Sequence, residues 1–599
     1  MDYGRFIGTC LLGILFAAWE LASAQQPRRV LYATLGDTNL GLFIADGDGT
    51  HERALLRLDS SDYNGSFSAD GKWIIFTSER NGSADIYRIH LDGTGLERLT
   101  DYKGFDDQGA LSPDGSTLAF VSTRDGGFAN IWLMDIATRR ATVLAKSNGG
   151  SFRPSWSPDG KWIAFTSDRG THSVRWHGGW EFLQSLAIYV VHPDGTSLRR
   201  LTPVDGYSGS PKWSADGRRI IFYQSTPADV YPGRTGTSRG PFAVSQIGSI
   251  DVESGAAKTY TSGPGLKVAP QFIGDSVAYW NKLGPDRGLV ISSGATVPGK
   301  MKAPSWSADG KMVVYDKEVS SGKPKMTPAY SIDPEFHMDL TSYFASWSPK
   351  GDEFVLAEKP GLVIVSARSE SPTFSYPTTV LYDSKHVGPL SWVGAPAWSP
   401  DGSMIAFAVG AGANFGSHTN PARIAVIHPD GTGFRYLTSD KENAGYPSWS
   451  PDSRQIVYRV VGSEQGLRIV NLDDDRVTLL TDQDDDLPGW SPRGNVIAFT
   501  SFRSGNFEIY TIHPDGSDVI RLTHDEGNDA HGSWSPDGEW YIFSSSRAGW
   551  KDEAMLCDGG DQPYAGLYAM HGDGTGVRQL TDDQWEDALP AVQPLTPVK

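Results

Sequence analysis

Trp156-Ser157-Pro158-Asp159-Gly160-Lys161-Trp162-Ile163-Ala164-Phe165-Thr166-Ser167-Asp168-Arg169 is the stretch that decides the fold. A short apolar run ends on Trp156, proline fixes one φ of a tight reversal and glycine takes its unusual φ, and a β-branched and aromatic strand follows. The stretch reads as a β-hairpin. The same box returns as Phe67-Ser-Ala-Asp-Gly71, Leu111-Ser-Pro-Asp-Gly115, Trp213-Ser-Ala-Asp-Gly217, Trp306-Ser-Ala-Asp-Gly310, Trp347-Ser-Pro-Lys-Gly351, Trp398-Ser-Pro-Asp-Gly402, Trp449-Ser-Pro-Asp-Ser453, Trp490-Ser-Pro-Arg-Gly494 and Trp534-Ser-Pro-Asp-Gly538, with a degenerate copy at Phe272-Ile-Gly-Asp275. Repetition at this period specifies a repeat architecture.

One whole unit shows what is repeated. After the box at Ser66 to Gly71 come a strand over Trp73 to Ser78, a second over Asp85 to His90, the turn Leu91-Asp92-Gly93-Thr94-Gly95 and a last strand over Glu97 to Thr100. Four antiparallel strands in roughly 40 residues is one propeller blade. Eleven boxes, three box-less strands near the N-terminus (Val30 to Thr34, Gly41 to Ala45, Arg53 to Leu58) and a strand-like remnant over Ala588 to Leu595 make twelve blades. Because propellers commonly hold roughly four to eight blades, the expected fold is all-β with two six-bladed propellers. The expected division is residues 25–300, closed by 585–599, for the first propeller and 301–584 for the second. Pairing of Ala588 to Leu595 with Val30 to Thr34 would leave no free sheet edge.

Composition agrees with a globular β-protein. The 68 glycines and 37 prolines fall at regular turn positions between strands that carry 19 tryptophans, so they punctuate structure. A formal charge of −18 without clustered Lys and Arg excludes a nucleic-acid backbone as partner. Residues 1–24 read as a signal peptide: Arg5 precedes an apolar stretch from Phe6 to Trp19, too short to span a bilayer, and Ala22-Ser23-Ala24 is a small-residue cleavage site. No membrane span is expected after cleavage.

The combination W-S-P-D-G-x-x-I-A-F-x-S-x-R, then I-Y, then D-G-x-x-x-x-x-L-T, as in Trp156 to Arg169 and Ile509 to Thr523, resembles the repeat of TolB-type periplasmic β-propellers. The resemblance covers nearly the whole chain after residue 24 and implies a propeller in a periplasmic or secreted location. TolB itself has an α/β domain before its propeller, which is not expected here because strands begin within a few residues of the cleavage site. Gly236-Thr237-Ser238-Arg239-Gly240 fits the string of a hydrolase nucleophile but lies among Tyr231-Pro232-Gly233 and Pro241, outside the strand and helix that the motif needs.

Chemistry is expected on the long connections, which fall on the face carrying the strand-two to strand-three loops. Residues 170–181 hold His172, Arg175, Trp176, His177, Trp180 and Glu181, which supply flat apolar faces, a carboxylate partner and groups that titrate. Lys551, Glu553, Asp561 and Tyr564 form a second candidate patch. In both places a solvated, anchored loop is the competing reading. No metal is expected, because the His spacing matches no zinc pattern and Asp473 to Asp475 and Asp484 to Asp486 lack the spacing of a calcium loop. No cofactor is expected.

Two functions follow. The first is a binding or scaffolding propeller of the envelope that presents a loop-rich face to a protein, peptide or glycan. The alternative is an enzyme acting on polysaccharide, a lyase or a glycoside hydrolase, with His177 as base, Arg175 offsetting a substrate carboxylate and Glu181 as an acid lacking a visible partner. Oligomeric state is left open. Cleavage after residue 24 leaves Cys557 alone, so thiol titration of the denatured, unreduced protein should find about one reactive group per chain. A covalent dimer as the sole species would contradict it.

Overall fold

The computed structural model describes residues 27–594 except 36–39, 59, 172–173, 176–181, 231–242, 284–286, 292–295, 300, 320–330, 342–343, 359–360, 368–377, 384–392, 411–420 and 555–564. Among the described residues are eleven four-stranded sheets, one three-stranded sheet and a two-stranded pair. Consecutive sheets pack in two closed cycles. One cycle has inner strands Asp62–Phe67, Asp106–Leu111, Ser151–Trp156, Tyr207–Trp213, Leu266–Ile273 and Met301–Trp306, the last returning to the first. The other has Ala345–Trp347, Val393–Trp398, Asn443–Trp449, Asp485–Trp490, Asp529–Trp534 and Glu586–Val592. The architecture is that of a β-propeller, as the repeat predicts.

Both rings are completed by the N-terminal strands. Arg28–Leu35 pairs antiparallel with Glu586–Val592, with Val30 opposite Val592 and Thr34 opposite Asp587, which is the pairing expected from the chain ends. Leu40–Asp46 instead joins the hairpin of the Trp306 box, running antiparallel to Met312–Glu318 with Phe43 opposite Tyr315. The expected division at residue 300 is therefore corrected. The Trp306 box belongs to the first ring, and the C-terminal strand closes the second. Counting boxes gives six units on either assignment; what the count missed is Phe336–Thr341, a box-less strand that pairs parallel with Arg28–Leu35 and fills the place left in the second ring.

Each motif residue has a local job. Ser157 Oγ donates to Asp159 Oδ1 at 2.7 Å and accepts from Trp162 N at 2.9 Å, while Asp159 Oδ1 also accepts from Lys161 N, so the turn's orphan donors are satisfied by the box itself. Box tryptophans clasp the preceding blade: the indole N–H of Trp156 donates to Ala110 O, Trp213 to Ser155 O, Trp449 to Ala397 O, Trp534 to Gly489 O and Trp347 to Ala591 O, at 2.9–3.1 Å. The arginine that ends the motif returns to the start of its inner strand, as Arg80 does to Asp62, Arg503 to Asp485 and Arg547 to Asp529. The Thr of Leu-Thr accepts the N–H fourteen residues earlier, as Thr202 does from Ile188 and Thr523 from Ile509.

Removing residues from Trp585 onward takes away the inner strand of the shared sheet and opens the second ring. Hydrogen exchange should lose protection over Arg28–Leu35 and Asp529–Trp534, while Met312–Glu318 keeps it. Equal loss in both rings would show that closure is assigned wrongly.

Candidate functional site

The inner strands share a bulge whose side chains decide the chemistry of the two central channels. Between Phe152 and Ser155 the ladder skips register, and Arg153 sits at φ 53. The equivalent residues, three before each box aromatic, are Asn64, Gln108, Ser210, Ala269 and Ala303 in the first ring, with φ between 42 and 58. In the second ring they are Ala395, Tyr446, Leu487, His531 and Leu589, with φ between 47 and 57. A left-handed non-glycine residue costs of order 1 kcal/mol, so the repetition of this strain marks a shared constraint. Proline follows at Pro154, Pro211, Pro270, Pro304, Pro396, Pro447, Pro488 and Pro590, where the bulge takes the residue out of the ladder.

In the first ring these positions form a polar network that receives a segment of the second. Arg153 donates from Nη1 to Asn64 Oδ1 at 2.8 Å and from Nε to Asp552 Oδ1 at 3.0 Å, and its Nη2 contacts the other Asp552 oxygen. Asn64 Nδ2 and Gln108 N both donate to Asp107. Ser210 donates from N and Oγ to the two oxygens of Glu553, at 2.7 and 2.8 Å. Ala554 N donates to Gln184 Oε1, and Lys551 pairs with Asp582, which also accepts from Thr123 Oγ1. A cavity of only about 60 Å³ remains. Burial raises the Asp552 carboxyl to about 7 against the pull of Arg153. Against its own burial, Arg153 is held firmly protonated by Asp552, Glu553 and Asp107.

This placement corrects one expectation. Lys551 and Glu553, read as an exposed binding patch, are buried and committed to internal partners, with side-chain exposures of 4% and 3% for Lys551 and its partner Asp582. Asp552, Glu553 and Ala554, in the connection between Trp540–Ser545 and Gly566–His571, meet the first ring rather than solvent. Asp561 and Tyr564 lie outside the described residues, as do His172, Trp176, His177, Trp180, Glu181, Cys557, the 236–240 string and residues 1–24. Arg175 is described only as part of Val174–Arg175, paired with Phe182–Leu183. The Asp runs serve ion pairs: Asp473 with Arg454, Asp475 with Arg435, Asp485 with Arg503 and Asp486 with Arg459. Among the described residues no group of three His, Cys, Asp or Glu could hold a metal ion.

The second ring keeps an open channel. It encloses about 530 Å³, walled by Trp347, Trp398, Trp449, Trp490 and Trp534 and narrowed by the bulge residues, including Tyr446 and Leu487. His531 is the one titratable imidazole on this wall, and burial pushes it down to about 4, so it is neutral at pH 7. The waist is therefore uncharged, and the tryptophans form the wall beyond it.

Residues 94–229 and 413–554 match the TolB β-propeller domain family. These two stretches are built on TolB-type repeats. An uncharacterized protein of Agrobacterium fabrum is 32% identical over 106 residues, covering 18% of this chain and 31% of that protein. A TolB homolog of Chlorobium luteolum is 32% identical over 122 residues, covering 20% of this chain and 28% of that protein. The chain thus spans about a third of the length of these curated relatives. The structure of TolB from Acinetobacter baumannii is similar at 16% identity and a TM-score of 0.28, covering 65% of this chain and 84% of that one. No helix of the described residues is long and apolar enough to cross a membrane. Boxes of both TolB-type stretches were legible from the sequence; the bulge residues were missed, although aligning the boxes and reading three positions back from each would have separated the two rings.

Two outcomes follow from the buried charges. Asp552→Ala removes the carboxylate that both Nε and Nη2 of Arg153 contact and should cost about 3–5 kcal/mol, whereas Arg153→Met with Asp552→Leu should recover most of that. Urea unfolding checks both, and an Asp552→Ala protein as stable as the parent would contradict the pairing. Glu79, which accepts from Tyr63 Oη at 3.0 Å, is raised to about 8 by burial and then by Asp583. A raised carboxyl favours the folded state at low pH and loses that advantage as pH climbs from its unfolded value to about 8. Glu79→Gln should therefore gain in Tm over the parent progressively from pH 5 to pH 8. A gap that does not change with pH would contradict this assignment.

Proposed function

We propose that this TolB-type protein is a non-catalytic binding propeller of the cell envelope that receives a protein or peptide segment in the channel of its second ring. The observation that carries the reading is the contrast between the rings. The first is occupied by Lys551 to Ala554, while the second holds about 530 Å³ behind an uncharged aromatic wall. Tryptophan and tyrosine present large rigid faces with two rotatable bonds, so they bind at small entropic cost. The prolines fix the walls in advance, which reduces the ordering that association requires. The leader read at residues 1–24 and the TolB-type repeats support a periplasmic or secreted location.

Ala395 lies on the channel wall, in the bulge of the inner strand Val393–Trp398, with only a methyl side chain; Tyr446 and Leu487 show that the same bulge position accepts a large side chain, so Ala395→Trp should fill the channel. A peptide library selected against the parent protein should yield binders that lose at least tenfold in affinity for Ala395→Trp. Binders that hold both proteins equally would place the site elsewhere, and a library that yields none, beside glycans that bind, would overturn the peptide reading.

A further inference from the structure

The remaining cavity of the first ring is lined by a lysine that nothing in the network answers. Lys212 sits on the inner strand Tyr207–Trp213 one residue before its box tryptophan and lines the cavity of about 60 Å³. The equivalent positions in other blades are small, as at Ser66, Ala110, Ser155 and Ser305, or committed to backbone, as Gln271 is to Trp306. Among the described residues Lys212 has neither a hydrogen bond nor a carboxylate partner. Asp552, Glu553 and Asp107 act on Arg153, whereas the charge that reaches Lys212 is the like charge of Arg153 itself. Burial and this repulsion together lower the ammonium to about 8. Ser305 lines the same cavity, and its hydroxyl makes no hydrogen bond to a described residue.

Lys212 is half-buried, and a cation that faces a like charge with no counter-charge favours an anion beside it. We propose that Lys212 and Ser305 form a site for a small oxyanion, a carboxylate or a phosphate, held in the centre of the first ring. The volume suits such a group: a single water needs roughly 10–15 Å³ of comparable space, so the cavity takes a few atoms and no more. The ammonium supplies the charge and the hydroxyl a directed donor. The second guanidinium edge of Arg153 is already taken by Asp552, so that the anion is answered by Lys212 rather than drawn into the Arg153 network. This site is separate from the peptide channel and stands or falls independently of it.

The full chain, in low-chloride buffer at pH 7, would be titrated with inorganic phosphate and separately with acetate, by calorimetry and by Tm. Saturable binding of either anion, weakened at least tenfold in Lys212→Met and severalfold in Ser305→Ala but retained in Lys212→Arg, supports the site. Which anion binds more tightly tells phosphate from carboxylate. Acetate affinity should also fall above about pH 8 as the ammonium loses its proton. No saturable binding of either anion to the parent, or equal binding by Lys212→Met, overturns the proposal. If Lys212→Met fails to fold, Lys212→Gln takes its place under the same criteria.

Discussion

The indole N–H of a box tryptophan, donated to the carbonyl just before the box of the preceding blade, is the contact on which the rings depend. It recurs at Trp156, Trp213, Trp347, Trp449 and Trp534. One such bond is worth about 1 kcal/mol net, but it ties the central strand of each sheet to its neighbour and so fixes the angle at which blades follow one another. The Ser and Asp of the box complete the same hairpin, which explains why the motif is conserved within the chain as a block. Three box tryptophans depart from the rule: Trp398 donates to Gly402 O of its own turn at 3.4 Å, Trp306 donates to Gly47 O of its own blade at 3.1 Å, and the indole N–H of Trp490 has no hydrogen bond among the described residues.

Clasping the inner strands at the box end leaves their other end free to bulge, and the bulge makes the two channels different. With Asn64, Gln108, Arg153 and Ser210 at the waist, the first ring can satisfy the two carboxylates that the second ring inserts. Ala395, Leu487 and Leu589 at the same positions of the second ring offer no side-chain donors, and its channel stays open. A single positional choice, three residues before each box, therefore assigns one ring to holding the molecule together and leaves the other with an open channel.

Fold class was legible because the box repeats at the period of a blade and its residues act locally. Closure was legible only in part. The antiparallel pairing of Val30 to Thr34 with the C-terminal strand followed from the strand count, but the allocation of Gly41 to Ala45 to the Trp306 hairpin depends on a long-range pairing that no local pattern encodes. The site was legible least. Asp552 and Glu553 look like any solvated charge run until Arg153 and Ser210 are brought to them from 399 and 343 residues away in sequence. Aromatic residues of a repeated box read as core, and their second role as a channel wall appears only when the ring closes.

The insertion of the second ring into the first makes the rings one body and leaves one open channel. Its most direct test is amide hydrogen exchange at Ser210 and Ala554. Ser210 N lies in the bulge and donates to Glu553 Oε1, and Ala554 N donates to Gln184 Oε1, so each amide is held by the other ring rather than by its own ladder. Both should be among the slowly exchanging amides of the intact chain and should become fast together in Glu553→Ala. Rapid exchange at both sites in the unmodified protein would mean that the first ring is not closed by the second.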